Sequence, residues 1–95
     1  MTSPTLEKNH KEFLEVIKQA IELRYKKMYD YQLSYQTHGS FGIVVRLTDK
    51  MQRLCNISGD KPKPNFESAE DTAIDIINYA AMYVMELRRE RNEKV

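Results

Sequence analysis

Residues 68–91 read SAEDTAIDIINYAAMYVMELRRER, and this stretch decides the fold class. Its apolar residues recur every three or four positions, which is the period of a helix with one apolar face. They are Ala73, Ile74, Ile77, Ala80, Ala81, Val84 and Leu87. Ser68 to Asp71 has the form of a capping box, and acids in the first turn suit the positive end of a helix dipole. The pattern predicts a long helix over about residues 66–91.

Two more helices are predicted upstream. The first spans about residues 5–31, with Ser3 or Thr5 as its cap and Pro4 in its first turn. Five of its apolar residues share one face: Phe13, Ile17, Ala20, Ile21 and Met28. The second spans about residues 43–57. Its apolar stripe holds Ile43, Leu47 and Leu54 and is widened by Val44 and Met51.

Polar segments separate these helices. Residues 32–41 are interpreted as a loop, with Gly39 and Gly42 as helix breakers. Residues 58–65 are interpreted as a connector, because prolines at 62 and 64 bar a helix there. The sequence therefore predicts a single all-α domain over residues 1–95, built from three main helices.

The composition of the chain excludes or disfavours several classes of protein. The 95 residues carry 15 basic and 14 acidic side chains, and a formal charge of +1 makes a nucleic-acid partner unlikely. The single cysteine, Cys55, excludes an internal disulfide. The short apolar runs exclude a membrane span. We expect a cytoplasmic protein, in the host cytoplasm if it is encoded by a phage.

The third predicted helix is apolar over an unusually wide arc. Tyr79, Met82, Tyr83 and Met85 extend its stripe beyond what a three-helix unit of this size covers. Self-association is the simplest way to bury such an arc. The alternative is that these side chains lie at the rim of the core.

Acidic residues are concentrated at the start of this helix. Asp71 and Asp75 lie four positions apart on one face, and Asn78 continues that face. Carboxylates at this spacing repel each other, and Mg²⁺ is the natural ion to offset the repulsion. The alternative is that Asp71 caps the helix and Asp75 faces water.

The second predicted helix carries charges beside its apolar stripe. Asp49 lies among three basic residues, which are Arg46, Lys50 and Arg53. They form either a surface ion pair or a site in which Asp49 joins the metal and the basic groups bind phosphate. In the first helix, Glu22 and Lys26 form an ordinary i,i+4 pair. Lys26, Asp30 and Tyr31 lie near its end, where a ligand could be held.

Four stretches follow one another in a familiar order: KMYDY at 27–31, FG at 41–42, RLTDKMQRL at 46–54 and EDTAIDIINYA at 70–80. Together they resemble a phage and bacterial family of small all-α proteins associated with nucleotide modification. That family is related to the MazG-like nucleotide pyrophosphohydrolases. The resemblance implies a MazG-like helical bundle, completed by a dimer or tetramer whose sites include residues of more than one subunit.

The resemblance also implies a chemistry. Such enzymes use Mg²⁺, held by two acidic helical motifs, to cleave a (d)NTP into a (d)NMP and pyrophosphate. Asp75 matches the aspartate of the second motif, with Asp71 or Glu70 as its partner, and Asp49 stands on the preceding helix. Arg46 occupies a position where a second acid is expected, so a full four-carboxylate cage is not visible.

In that interpretation each group has a role. Asp49, Asp71 and Asp75 hold Mg²⁺, and Glu70 or Glu22 takes a proton from the attacking water. The other predicted residues bind the nucleotide, with Tyr31 or Tyr79 stacking on its base: Lys26, Asp30, Tyr31, Arg46, Lys50, Arg53, Asn78 and Tyr79. The alternative function is a non-catalytic phage accessory module that binds nucleotides or a host protein.

Overall fold

The computed structural model of the chain describes residues 3–31, 36–57 and 68–93. These residues form three α-helices, which are α1 (Pro4–Tyr31), α2 (Gly39–Ile57) and α3 (Ala69–Glu93). No strand occurs among them. The predicted all-α fold with three helices is confirmed, and the predicted connector at 58–65 lies outside the described residues.

Serine side chains cap the N-termini of two of the helices. Ser3 Oγ accepts a hydrogen bond of 3.1 Å from the Leu6 N–H, immediately before Pro4 opens α1. Ser68 Oγ accepts one of 3.0 Å from the Asp71 N–H at the start of α3. Each serine satisfies an amide that has no partner inside its own helix. The predicted caps at Ser3 and Ser68 are therefore confirmed.

The start of α2 corrects the sequence interpretation. Gly39 and Gly42 were predicted to break a helix before residue 43, but α2 already begins at Gly39. Gly39 adopts a φ of 63°, a conformation that glycine accepts without steric cost. The Glu90 carboxylate of α3 accepts two hydrogen bonds from the next residue, one of 2.9 Å from the Ser40 N–H and one of 3.0 Å from the Ser40 hydroxyl. A tertiary cap, invisible in the local sequence, thus lets the helix begin four residues earlier.

The helices α2 and α3 pack along each other in opposite directions. Ser40 at the start of α2 contacts Glu90 near the end of α3, whereas Lys50 further along α2 contacts Asp75 near the start of α3. The second half of α1 packs on α3 at Ala20, whose carbonyl accepts a 3.0 Å hydrogen bond from Asn78. Ala20 is 1% exposed, and its small side chain allows this close approach.

The orientation of α3 differs from the one its apolar stripe suggests. Its most buried residues are Thr72, Asp75 and Glu86, whereas Val84 is 43% exposed and Ala80 and Ala81 are exposed as well. Polar bonds to the other helices fix this rotation, since Asp75 and Glu90 both bind side chains or amides of α2. The fully buried Glu86 accepts hydrogen bonds from Arg89, one turn further along α3.

The apolar core of the described chain is small. Ala20 and Ile43 are its only buried hydrophobic residues. Phe13 and Ile21, expected on the packed face of α1, are 60% and 62% exposed. They belong to the apolar face of α1, on which Ala20 is the buried residue. In the part of the chain described here, no helix is long and apolar enough to cross a membrane.

Candidate functional site

The three helices meet at one buried carboxylate, that of Asp75. Its side chain is 11% exposed. Asp75 Oδ2 accepts a hydrogen bond of 2.9 Å from Lys50 Nζ of α2. Asp75 Oδ1 lies 3.6 Å from Lys27 Nζ of α1. We call Lys27, Lys50 and Asp75 the lysine–aspartate cluster.

Each helix supplies one member of the cluster because of its orientation about its own axis. Lys27 lies seven positions after the buried Ala20, so both residues point toward α3. Lys50 lies seven positions after the buried Ile43 and therefore also faces α3. Asp75 follows the buried Thr72 by one turn. The carboxylate is thus presented at a helix junction, where both lysines reach it from neighbouring elements.

A second polar group extends the cluster along α1. Arg24 lies one turn before Lys27 and is half-buried. Its Nε is the one buried side-chain nitrogen or oxygen atom, among the described residues, that has no hydrogen-bond partner. Buried polar atoms normally form hydrogen bonds, so the Arg24 Nε–H marks a place where an oxygen of a ligand or of water could accept a hydrogen bond.

The lysines are more accessible than the acid they contact. The side chains of Lys27 and Lys50 are 38% and 24% exposed, compared with 11% for Asp75. An incoming solute therefore meets the ammonium groups first. Because lysine carries its charge on a long flexible stem, both groups can turn toward an anion without moving a helix.

Only part of the predicted site comes together in the described chain. Lys50 and Asp75 are in contact, and Asn78 and Tyr79 are half-buried on the turn that follows Asp75. Seven other predicted site residues are exposed: Glu22, Lys26, Arg46, Asp49, Arg53, Glu70 and Asp71. The side chains of Asp30 and Tyr31 lie outside the described residues.

The predicted Mg²⁺ ligands are not brought together in the described part of the chain. Lys50 faces Asp75, whereas the adjacent Asp49 is exposed. Across residues 3–31, 36–57 and 68–93, no three His, Cys, Asp or Glu side chains are placed to share a metal ion. Both oxygens of Asp75 already have an ammonium group beside them. Mg²⁺ binding by Asp49, Asp71 and Asp75 therefore stays a prediction.

Sequence reasoning missed Lys27 and Arg24. Lys26 was predicted instead, because it lies near the end of the first helix, where a ligand could be held, yet Lys26 is exposed. The useful signal was the seven-residue spacing between Ala20 and Lys27. It was readable only once Ala20 was known to be the contact point with α3.

Known proteins give no further guidance for this chain. Comparisons with protein-family models, with curated proteins and with solved structures found no match.

Proposed function

We propose that this protein binds the phosphate groups of a nucleotide at the lysine–aspartate cluster. The observation that carries the proposal is the convergence of two lysines on one carboxylate, at 2.9 Å for Lys50 and 3.6 Å for Lys27. Two ammonium groups held this close together attract phosphate oxygens, since lysine binds phosphate as a point charge.

Accessibility supports the same ligand. The ammonium groups are the exposed part of the cluster and the carboxylate is the buried part. A cation approaching from solvent would be repelled first, whereas an anion would be attracted. Arg24 adds a third positive charge on α1, one turn from Lys27.

The resemblance to the nucleotide-modification family supports a nucleotide over a simple anion. Lys50, Asn78 and Tyr79 belong to its predicted nucleotide-binding residues and lie on or beside the cluster. An aromatic ring one turn from a phosphate site can stack on a base. Binding is favoured over hydrolysis because lysines stand beside both oxygens of Asp75, where a metal would have to bind. The experiment described below also tests whether the nucleotide is cleaved with release of pyrophosphate.

We further propose that the three helices form a MazG-like bundle that a second copy completes. Only two hydrophobic residues are buried in the described part of the chain. A domain with so little core gains stability when its apolar faces are covered by association. The resemblance implies the same dimer or tetramer.

Calorimetric titration tests phosphate binding directly. The probes are inorganic tripolyphosphate and the eight common NTPs and dNTPs, each in EDTA and again with Mg²⁺. We expect tripolyphosphate and at least one nucleotide to bind in EDTA. Lys50→Gln and Lys27→Gln should each weaken binding by roughly 10- to 100-fold, as the loss of one charged hydrogen bond predicts. Pyrophosphate released with Mg²⁺, and lost in Asp75→Asn, would extend the function to hydrolysis.

Lys18→Gln is the matched control, because it removes one positive charge from an exposed position of α1. It should leave binding of tripolyphosphate within about twofold, since exposed and distant charges are screened by salt. The proposal is wrong if none of the probes binds, or if Lys18→Gln weakens binding as much as Lys50→Gln.

A further inference from the structure

Arg24 carries a buried hydrogen-bond donor that nothing in the described chain satisfies. Its Nε is buried and has no hydrogen-bond partner among the described residues. The residue as a whole is half-buried, so part of its side chain still meets solvent. Buried polar atoms nearly always form hydrogen bonds, because an unpaired one has lost its water and gained no partner in exchange. The Nε–H therefore lacks an acceptor that the described residues do not supply.

The position of Arg24 is fixed by two contacts of α1 with α3. Four residues before it, the Ala20 carbonyl accepts a hydrogen bond of 3.0 Å from Asn78. Three residues after it, Lys27 Nζ lies 3.6 Å from Asp75 Oδ1. Residues at spacings of three and four share one side of a helix, so Arg24 faces the same junction as both neighbours. The unpaired donor therefore lies within one helical turn of the lysine–aspartate cluster.

The polar groups of α3 at this junction are engaged by other partners. Asp75 Oδ2 accepts a hydrogen bond of 2.9 Å from Lys50, and Asp75 Oδ1 lies beside Lys27. Asn78, one turn further along α3, turns its amide donor toward α1, and a donor cannot pair with a second donor. The acceptor that suits Arg24 is therefore an oxygen atom of a bound solute or of water.

Phosphate is the solute whose shape matches this donor. The guanidinium group is planar, and its N–H donors form a rigid fork that binds two oxygens of one phosphate group. Arg24 lies beside two ammonium groups that attract the same kind of anion. A ligand held by the lysines is thus brought to the unpaired Nε–H without any movement of α1.

We propose that Arg24 makes the site prefer a chain of phosphates to a single phosphate. The ammonium groups of Lys27 and Lys50 lie around one carboxylate, so a single phosphate group can contact both. The side chain of Arg24 starts one turn away from Lys27, at about 5–6 Å between Cβ atoms, so its donor meets the next phosphate of the chain. This inference rests on the proposed phosphate binding and names the group that recognises the second phosphate.

Stability without ligand separates this role from a structural one. Arg24→Met keeps a long apolar side chain for packing but removes the unpaired buried donor. The midpoint of its urea unfolding should therefore equal that of the wild type or exceed it. A lower midpoint would mean that the guanidinium group supports the fold through a protein partner, which would overturn the inference.

Calorimetric titration in EDTA with inorganic phosphate, pyrophosphate and tripolyphosphate tests the preference. The wild type should bind pyrophosphate at least roughly 10-fold more tightly than phosphate, because one more charged hydrogen bond forms. Arg24→Met should weaken binding of pyrophosphate and tripolyphosphate by roughly 10- to 100-fold, but binding of phosphate by no more than about threefold. Arg24→Lys keeps the charge but has a methylene group in place of Nε–H. It should still weaken pyrophosphate binding by at least roughly fivefold.

Arg88→Met is the matched control, because it makes the same substitution at an exposed arginine near the opposite end of α3 from Asp75. It should leave binding of all three probes within about twofold. The inference alone is overturned if Arg24→Met weakens phosphate and pyrophosphate binding equally, or weakens neither, while Lys50→Gln still weakens both. A wild-type chain that binds none of the probes would overturn the proposed function together with this inference.

Discussion

Ser40 and Glu90 are joined by two hydrogen bonds that tie the first turn of α2 to the last turns of α3. Glu90 Oε1 accepts the Ser40 N–H at 2.9 Å, and Glu90 Oε2 accepts the Ser40 hydroxyl at 3.0 Å. The carboxylate also lies at the amino end of α2, where a negative charge interacts favourably with the helix dipole. A residue fifty positions away thus performs the work of a local helix cap.

Removing this tertiary cap should destabilise the protein. Glu90→Ala deletes both acceptors and should lower the free energy of unfolding by about 1–2 kcal/mol. Glu90→Gln keeps one carbonyl acceptor and should cost about half as much. Urea unfolding followed by circular dichroism, at one fixed protein concentration, measures both. Asn92→Ala changes an exposed residue at the same end of α3 and should have no comparable effect. Equal losses in Glu90→Ala and Asn92→Ala would contradict the cap.

Gly42 lies against His38 one turn before it. A Cβ at Gly42 would stand 2.6 Å from the His38 Cβ, far inside contact distance. Alanine normally stabilises a helix by about 1 kcal/mol relative to glycine, but this overlap should reverse the sign. We expect Gly42→Ala to lower the free energy of unfolding by about 1–3 kcal/mol.

A double-mutant cycle isolates the overlap between these two residues. In a His38→Gly background the colliding atom is absent, so Gly42→Ala should now stabilise the protein by up to about 1 kcal/mol. Urea unfolding of the four variants gives both values. If Gly42→Ala has the same effect in both backgrounds, His38 is not the cause.

The two lysines of the lysine–aspartate cluster should differ in their contribution to stability. Lys50 donates a 2.9 Å hydrogen bond to a carboxylate that is 11% exposed, so Lys50→Met should cost about 1–3 kcal/mol. Lys27 is 38% exposed and 3.6 Å away, so water screens its interaction and Lys27→Met should cost at most about 1 kcal/mol. Unfolding without added nucleotide measures the difference. A larger loss in Lys27→Met would contradict the geometry.

The sequence predicts local features of this fold better than it predicts the packing. Helix periodicity and the serine caps depend on neighbouring residues, so the existence of three helices and the caps at Ser3 and Ser68 were readable. The start of α2 was not, because it depends on Glu90, which is distant in the chain. Glycine at 39 and 42 suggested a break, yet one supplies a positive φ and the other avoids His38.

For the candidate site, too, the sequence predicts local features better than it predicts the packing. The charge pattern of the predicted helices singled out Lys50 and Asp75, and the two side chains form a hydrogen bond. Whether Asp49 or Lys50 faces α3 is decided by a rotation of about 100° between adjacent residues, and tertiary contacts at Ser40, Ile43 and Lys50 accompany the observed rotation. The rotation of α3 is likewise set by the polar bonds of Asp75 and Glu90, against the preference of its apolar stripe. Periodicity alone cannot anticipate a helix that turns its polar residues inward.

Asn78 should control how firmly α1 is attached to the other two helices. Its Nδ2 donates a 3.0 Å hydrogen bond to the Ala20 carbonyl at the point where α1 packs on α3. Because the apolar contact of α1 is small there, we expect α1 to open locally before α2 and α3 unfold. Asn78→Ala should raise hydrogen exchange of α1 amides by roughly fivefold, which corresponds to the loss of about 1 kcal/mol.

Hydrogen-exchange mass spectrometry resolves this effect by helix. In Asn78→Ala the peptides of α2 should keep their wild-type rates, because α2 is held to α3 independently by Ser40–Glu90 and Lys50–Asp75. Asn9→Ala is the control, since Asn9 is exposed on the half of α1 that lies before the contact with α3. It should leave the exchange around Ala20 unchanged. Equal acceleration in all three helices would mean that Asn78 supports the whole fold, and that α1 does not open as a separate unit.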